Sequence, residues 1–149
     1  MPEFILDHGS PESAKQFRAL DSFTQGYVEA LFFTSEGVDN DCEPGHENDL
    51  ANITFADLAP SALQIIVKEC EAFQLANHEL LATAYAMRAD VVDAYDEQAA
   101  GRDFWYTRNG HGTGFWDSGL CEIGDKLADA ARYSERSLYR GDDGLLYLA

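Results

Sequence analysis

The chain has 149 residues, 46% hydrophobic and 12% aromatic, with 27 acidic against 10 basic side chains and a net charge of −17. This aromatic content excludes a disordered acidic polymer, because disorder accompanies too little apolar surface to offset the entropy of ordering. The charge excludes binding of DNA, RNA or anionic lipid through phosphate contacts, a mode that needs clustered Lys and Arg.

The length suits a single domain over 1–149 with one core. No early basic segment leads into an apolar run, and no apolar stretch approaches 18 residues, so neither a secretory signal nor a membrane helix is expected. Cys42, Cys70 and Cys121 are odd in number and lack paired spacing, which fits a reducing cytoplasm better than a disulfide framework.

PEFILD near the start predicts a short strand. In SPESAKQFRAL, Ser10 is placed to cap a helix, Pro11 suits its first position and Glu12 complements the dipole. DSFTQGYVEALFFT sets Phe23, Tyr27, Ala30 and Leu31 at helical spacing. Gly26 weakens that helix by about 1 kcal/mol relative to Ala, so a close packing contact is expected there.

Residues 35–57 change character, with seven acidic residues, no Lys or Arg, and Gly, Pro and Asn punctuation. They predict an acidic loop whose length points to a functional role. The charge is concentrated on this side of the chain: residues 1–57 carry a net −10 and residues 58–149 a net −7.

From Pro60 a stripe of Leu63, Ile66, Val67, Cys70 and Phe73 continues through Leu80, Leu81, Ala84, Val91, Val92 and Tyr95. It predicts one or two long helices with a break near Asn77 or Met87. Asp90, Asp93 and Glu97 recur at i, i+3 and i+7, a spacing that puts them on one outward face.

The stretch DFWYTRNGHGTGFWD, residues 103–117, holds both tryptophans, and its Asn109-Gly110 pair is a strong two-residue turn signal. It predicts a β-hairpin in which Gly110, Gly112 and Gly114 form a flat strip open to an aromatic ring, another backbone or a ligand. A catalytic use of the same stretch would have Arg108 hold an anion while His111 and Asp117 transfer a proton.

GLCEIGDKLADAARY predicts a further helix capped by Asp117 or Ser118, and SLYRGDDGLLYLA a second hairpin across GDDG. The elements together predict an α+β fold of three to five helices, with short hairpins near residues 103–117 and 137–148.

No metal or cofactor is expected. Cys42 and His46 form half of a zinc spacing with no second half. Cys70 and Cys121 sit on apolar stripes and read as core thiols. His8 and His78 have no ligand partner in view.

The segments LDSFTQGYVEALFFT, FADLAPSALQIIVKECEAF, GRDFWYTRNGHGTGFWDSGLCEIGDKLADAA and YRGDDGLLY resemble a family of small acidic phage and prophage proteins over most of the chain. The matching core comprises Asp103, Phe104, Trp105, Thr107, Arg108, Asn109, Gly110, His111, Gly112, Gly114, Phe115, Trp116 and Asp117. The resemblance implies a phage origin and a place of action in the host cytoplasm; it brings no catalytic assignment.

Charge and resemblance together give the expected function: an interaction protein that binds and inhibits a basic, nucleic-acid-handling host protein, partly by mimicking nucleic acid. Glu36, Asp39, Asp41, Glu43, Glu47 and Asp49 would steer the encounter, with Asp90, Asp93 and Glu97 as a rigid supplement. Trp105 or Trp116 would anchor the interface if exposed. The alternatives are a small enzyme or ligand-binding protein sited in 103–117, and a structural protein that self-associates.

Overall fold

The computed structural model describes residues 6–35, 50, 52–87 and 94–149. Helix α1, Pro11–Arg18, starts as its sequence dictates: Ser10 Oγ accepts from Ser13 N at 3.1 Å and Pro11 takes the first turn, where its missing N–H matters least. Asp21 opens α2, Ser22–Ser35, by accepting from Thr24 N at 2.8 Å. This second helix is buried on nearly every side, from Phe23 and Tyr27 to Leu31 and Phe32, and forms the centre of the molecule.

Helix α3, Pro60–Ala76, turns Ala62, Ile66, Cys70 and Phe73 inward, three or four residues apart. It ends at the expected break, Asn77, whose side chain bonds Phe73 O at 2.9 Å, and α4, His78–Met87, follows at once. Asp96 then caps α5, Glu97–Arg108, through Ala99 N at 2.8 Å. Helix α6, Cys121–Ala130, packs its Leu127 face inward. The hairpin of β1, Leu138–Arg140, and β2, Leu146–Leu148, pairs Leu138 with Leu148, Tyr139 with Tyr147 and Arg140 with Leu146. Leu138 and Leu146 enter the core, and Leu146 O accepts from Ala59 N at 2.9 Å to tie the hairpin to the start of α3.

Two glycines set the central helix contact. A Cβ on Gly26 would lie 2.7 Å from the Gln98 carbonyl carbon, and one on Gly101 would lie 2.8 Å from that of Phe23. Both distances are shorter than any real Cβ tolerates, so α2 and α5 meet backbone to backbone. The pairs 23 with 101 and 26 with 98 also show that the two helices run antiparallel. The close contact expected at Gly26 is present, and Gly101 is its counterpart. Around this crossing the rings of Phe23, Tyr27, Phe73, Phe104 and Phe115 pack, with Phe73 stacked on Phe104 at 4.2 Å.

The α+β description holds, with helix predominating: the described residues contain six helices, one more than the upper expectation, and one two-stranded antiparallel sheet. The second hairpin is where its sequence puts it. The first does not form. Residues 103–108 complete α5, and Asn109-Gly110 closes that helix instead of turning a strand. Gly110, at φ 65°, donates to Thr107 O, and His111 N donates to Tyr106 O at 3.1 Å. This pair of bonds is the Schellman arrangement, which requires the same left-handed glycine as a tight hairpin. Residues Phe115–Asp117 form a 3-10 turn.

Three smaller expectations are corrected. Asp117 caps that 3-10 turn, through Gly114 N at 2.9 Å, so α6 has Leu120 at its cap position with no side-chain bond. Cys121 is exposed and begins α6 at φ 55°, so it is no core thiol, whereas Cys70 is one. The acidic stretch 35–57 is not loop throughout, since Phe55–Asp57 is a 3-10 turn held by Asp57 on Thr54 N. Of the expected strand near the start, only Leu6 and Asp7 are described, and the segments 36–49 and 88–93 lie outside the described residues.

Candidate functional site

The sequence places Arg108, His111 and Asp117 in one loop, but the fold engages each separately. Arg108 is 5% exposed. Its guanidinium donates to Glu69, to Tyr27 Oη at 3.3 Å and to Ser134 O at 2.6 Å, and lies over the rings of Phe104 and Tyr133. Arg136 binds the other oxygen of Glu69, so one carboxylate bridges two guanidinium groups. An anion from solvent would have to displace Glu69 to reach Arg108. That ion set, buried at Arg108 and half-buried at Glu69 and Arg136, is a structural clamp joining α3, α5 and the segment before β1.

His111 sits exposed just past the end of α5, its ring 6.3 Å from Trp105 and 6.1 Å from Tyr106. Partial burial holds its pKa below the ordinary 6.5, against an opposing pull from Glu135. Asp117 accepts from Gly114 N and Thr113 Oγ1. These bonds fix a turn.

Of the proposed anchors, Trp105 is 2% exposed and donates its indole N–H to Thr34 Oγ1 at 2.9 Å, so it belongs to the core. Trp116 is 43% exposed and meets the condition set for an anchor. Glu97 is exposed in the first turn of α5. The other steering residues, Glu36, Asp39, Asp41, Glu43, Glu47, Asp49, Asp90 and Asp93, lie outside the described residues, as do Cys42 and His46.

Sequence reasoning missed a cleft on the flank of α5. It has a volume of about 390 Å³ and is lined by Ala94, Tyr95, Asp96, Ala99, Arg102, Asp103, Tyr106 and Ser118. Asp103 is its deepest charge-bearing group, 7% exposed. Tyr95 Oη donates to its Oδ2 at 2.7 Å, and Ser118 Oγ lies 2.6 Å from the same oxygen. Burial raises the Asp103 carboxyl pKa above the ordinary 3.8, with the nearby Asp117 adding to the rise; the two hydroxyl bonds only partly counter it. The Tyr95 hydroxyl is likewise pushed up, by burial first and then by Asp103.

Ser118 Oγ is also 2.9 Å from Gly114 O, yet a hydroxyl has one proton to give. Its shorter contact is the one to Asp103 Oδ2. In the sequence the one available signal was an acidic residue next to Phe104 on what reads, once the helix is recognised, as the inward face with Ala100.

A second, larger recess of about 720 Å³ shares Ala94, Tyr95 and Asp96 with this cleft and adds Ser22, Tyr85, Glu97 and Gln98. Tyr95 thus forms the wall between two acidic, tyrosine-lined hollows. Among the described residues no group of three His, Cys, Asp or Glu is arranged to hold a metal ion, and no helix is long and apolar enough to cross a membrane. No family model, curated protein or solved structure matches the chain.

Proposed function

We propose that the protein is an interaction module of phage or prophage origin that occupies a basic surface on a nucleic-acid-handling host protein, its carboxylates standing in for phosphates. The observation that supports this reading is where the fold puts its cations. Arg108 and Arg136 are turned inward onto Glu69. Setting aside that carboxylate and two guanidinium groups leaves −18 on the rest of the chain. Lys126 is in contact with Glu122 of α6, and Arg132, just past the end of that helix, with Asp129. The net field stays strongly negative, and such a field speeds encounter with a cationic groove.

Salt-resolved capture tests the reading. The immobilised full chain is exposed to host lysate, retained proteins are eluted by rising salt, and duplex DNA is offered as a competitor. The expected result is a basic DNA- or RNA-handling protein released by salt and displaced by DNA. Retention that is insensitive to salt, or not contested by DNA, would refute it, because screening shortens the reach of exposed charges to about 10 Å at 0.1 M salt.

A further inference from the structure

The Asp103 cleft has the chemistry of an anchor for a single cation. Asp103 is more than nine-tenths buried, and both of its hydroxyl contacts fall on Oδ2. Its Oδ1 receives no hydrogen bond from the described residues, and Asp103 lines the cavity. Asp96 adds a second carboxylate to the lining, and Tyr95 and Tyr106 supply ring faces and hydroxyl groups. The lining cation, Arg102, acts on both Glu29 and Asp103, pulling each carboxyl down against the effect of burial. The volume falls within the roughly 300–1,000 Å³ of ligand clefts.

We propose that this cleft receives one arginine or lysine side chain from the basic partner, held by Asp103 and Asp96 with its stem against Tyr95 and Tyr106. The inference rests on the interaction reading above and gives it a specific point of contact. An incoming cation pairs with the buried Asp103 carboxylate. Burial raises the pKa of this carboxyl, so affinity falls as acid protonates it. Cation–π contact with the tyrosine rings adds to the electrostatic attraction.

The probe is N-acetyl-arginine amide, with the neutral isostere N-acetyl-citrulline amide and acetate as comparisons, each titrated into the full chain at low salt. Backbone amide shifts of Tyr95, Asp103 and Ser118 and the Asp103 carboxyl ¹³C shift report binding. The arginine compound alone is expected to move these signals and to lower the carboxyl titration midpoint. Asp103→Asn keeps the shape of the site and should weaken binding on the order of ten- to hundredfold. Arg102→Gln, on a partly exposed position, should tighten it.

Equal binding of the citrulline compound, preferential binding of acetate, or weaker arginine binding by Arg102→Gln would overturn the proposal. If the arginine compound fails to bind while DNA-competed capture persists, the anchor fails and the interaction reading stands. If it binds and no basic partner is captured, the pocket stands and the interaction reading fails.

Discussion

Replacing Gly101 with Ala tests the packing that holds the molecule together. The added Cβ would stand 2.8 Å from the Phe23 carbonyl carbon and 2.9 Å from Tyr27 N. Heavy atoms rest about 3.5–4.0 Å apart, and the Phe23 carbonyl oxygen would lie closer still, so α2 and α5 must part by about 1 Å or more. A gap of that size forfeits about half of the dispersion attraction across it, and the rings at stake are Phe23, Tyr27, Phe104 and Trp105. Overpacking costs about 1–3 kcal/mol, and because no rotamer change can relieve a clash with backbone the cost falls at the upper end, about 3 kcal/mol. Alanine returns about 1 kcal/mol of helix propensity. The net expectation is destabilisation by about 2 kcal/mol for Gly101→Ala and a similar loss for Gly26→Ala. One outward shift relieves both clashes, so the double variant should lose less than the sum of the two. Urea unfolding followed by far-UV circular dichroism and tryptophan emission measures all three. Single variants within about 0.5 kcal/mol of the parent, the range of ordinary surface changes, would show that the helices do not meet through these glycines, and full additivity would show that the two contacts are independent.

Removing Glu69 as Glu69→Ala leaves Arg108 buried without its carboxylate, and denaturant unfolding should register a loss of about 3–5 kcal/mol. Glu122→Ala, which breaks the exposed pair with Lys126, should cost less than about 0.5 kcal/mol. Asp103 is raised in the folded state, so its contribution is fully present below the unfolded value near 3.8 and is lost as pH climbs through the raised folded value. Asp103→Asn should therefore gain on the parent across that window, and a stability profile in which the parent gains instead would refute the upward shift. With Trp116→Phe only the buried Trp105 remains, so emission should shift to the blue and acrylamide quenching should fall; Trp105→Phe should do the reverse.

Most helices were legible because their signals were local. Ser10-Pro11 and Pro60 start helices for reasons that need no tertiary partner, and the stripe from Ala62 to Phe73 repeats at the helical period. The hairpin at 138–148 was legible because apolar residues alternate around a glycine-rich turn, with Gly144 taking positive φ. Residues 103–117 misled because Asn-Gly serves two structures that share one backbone requirement. What decides between them is whether the preceding residues bury a helical face. Here Ala100, Gly101, Phe104, Trp105 and Arg108 do so, at spacings of three, four and one. The face was hard to read because one member is a glycine buried against another helix and another is an arginine whose charge is satisfied by Glu69, 39 positions earlier. The Asp103 cleft was hidden for the same reason. Tyr95, Asp103 and Ser118 come together only after α5 is folded and the 3-10 turn is laid back on it.

The fold separates charges that stabilise from charges that attract. Glu69, Arg108 and Arg136 sum to +1 inside the structure, so deleting Glu69 alters the net charge by one unit in 17 while removing a buried clamp. Exposed carboxylates such as Glu71, Glu79 and Asp142 stand in the opposite position. Neutralising these three as Gln or Asn should leave unfolding within about 0.5 kcal/mol per site yet slow association with a cationic partner and flatten its salt dependence. Equilibrium unfolding and association kinetics at two ionic strengths, measured on both sets of variants, should therefore move independently. If the Glu69 variant, still folded under the assay conditions, lost salt-dependent association as strongly as the triple surface variant, the attraction would arise from a local site and not from the summed field.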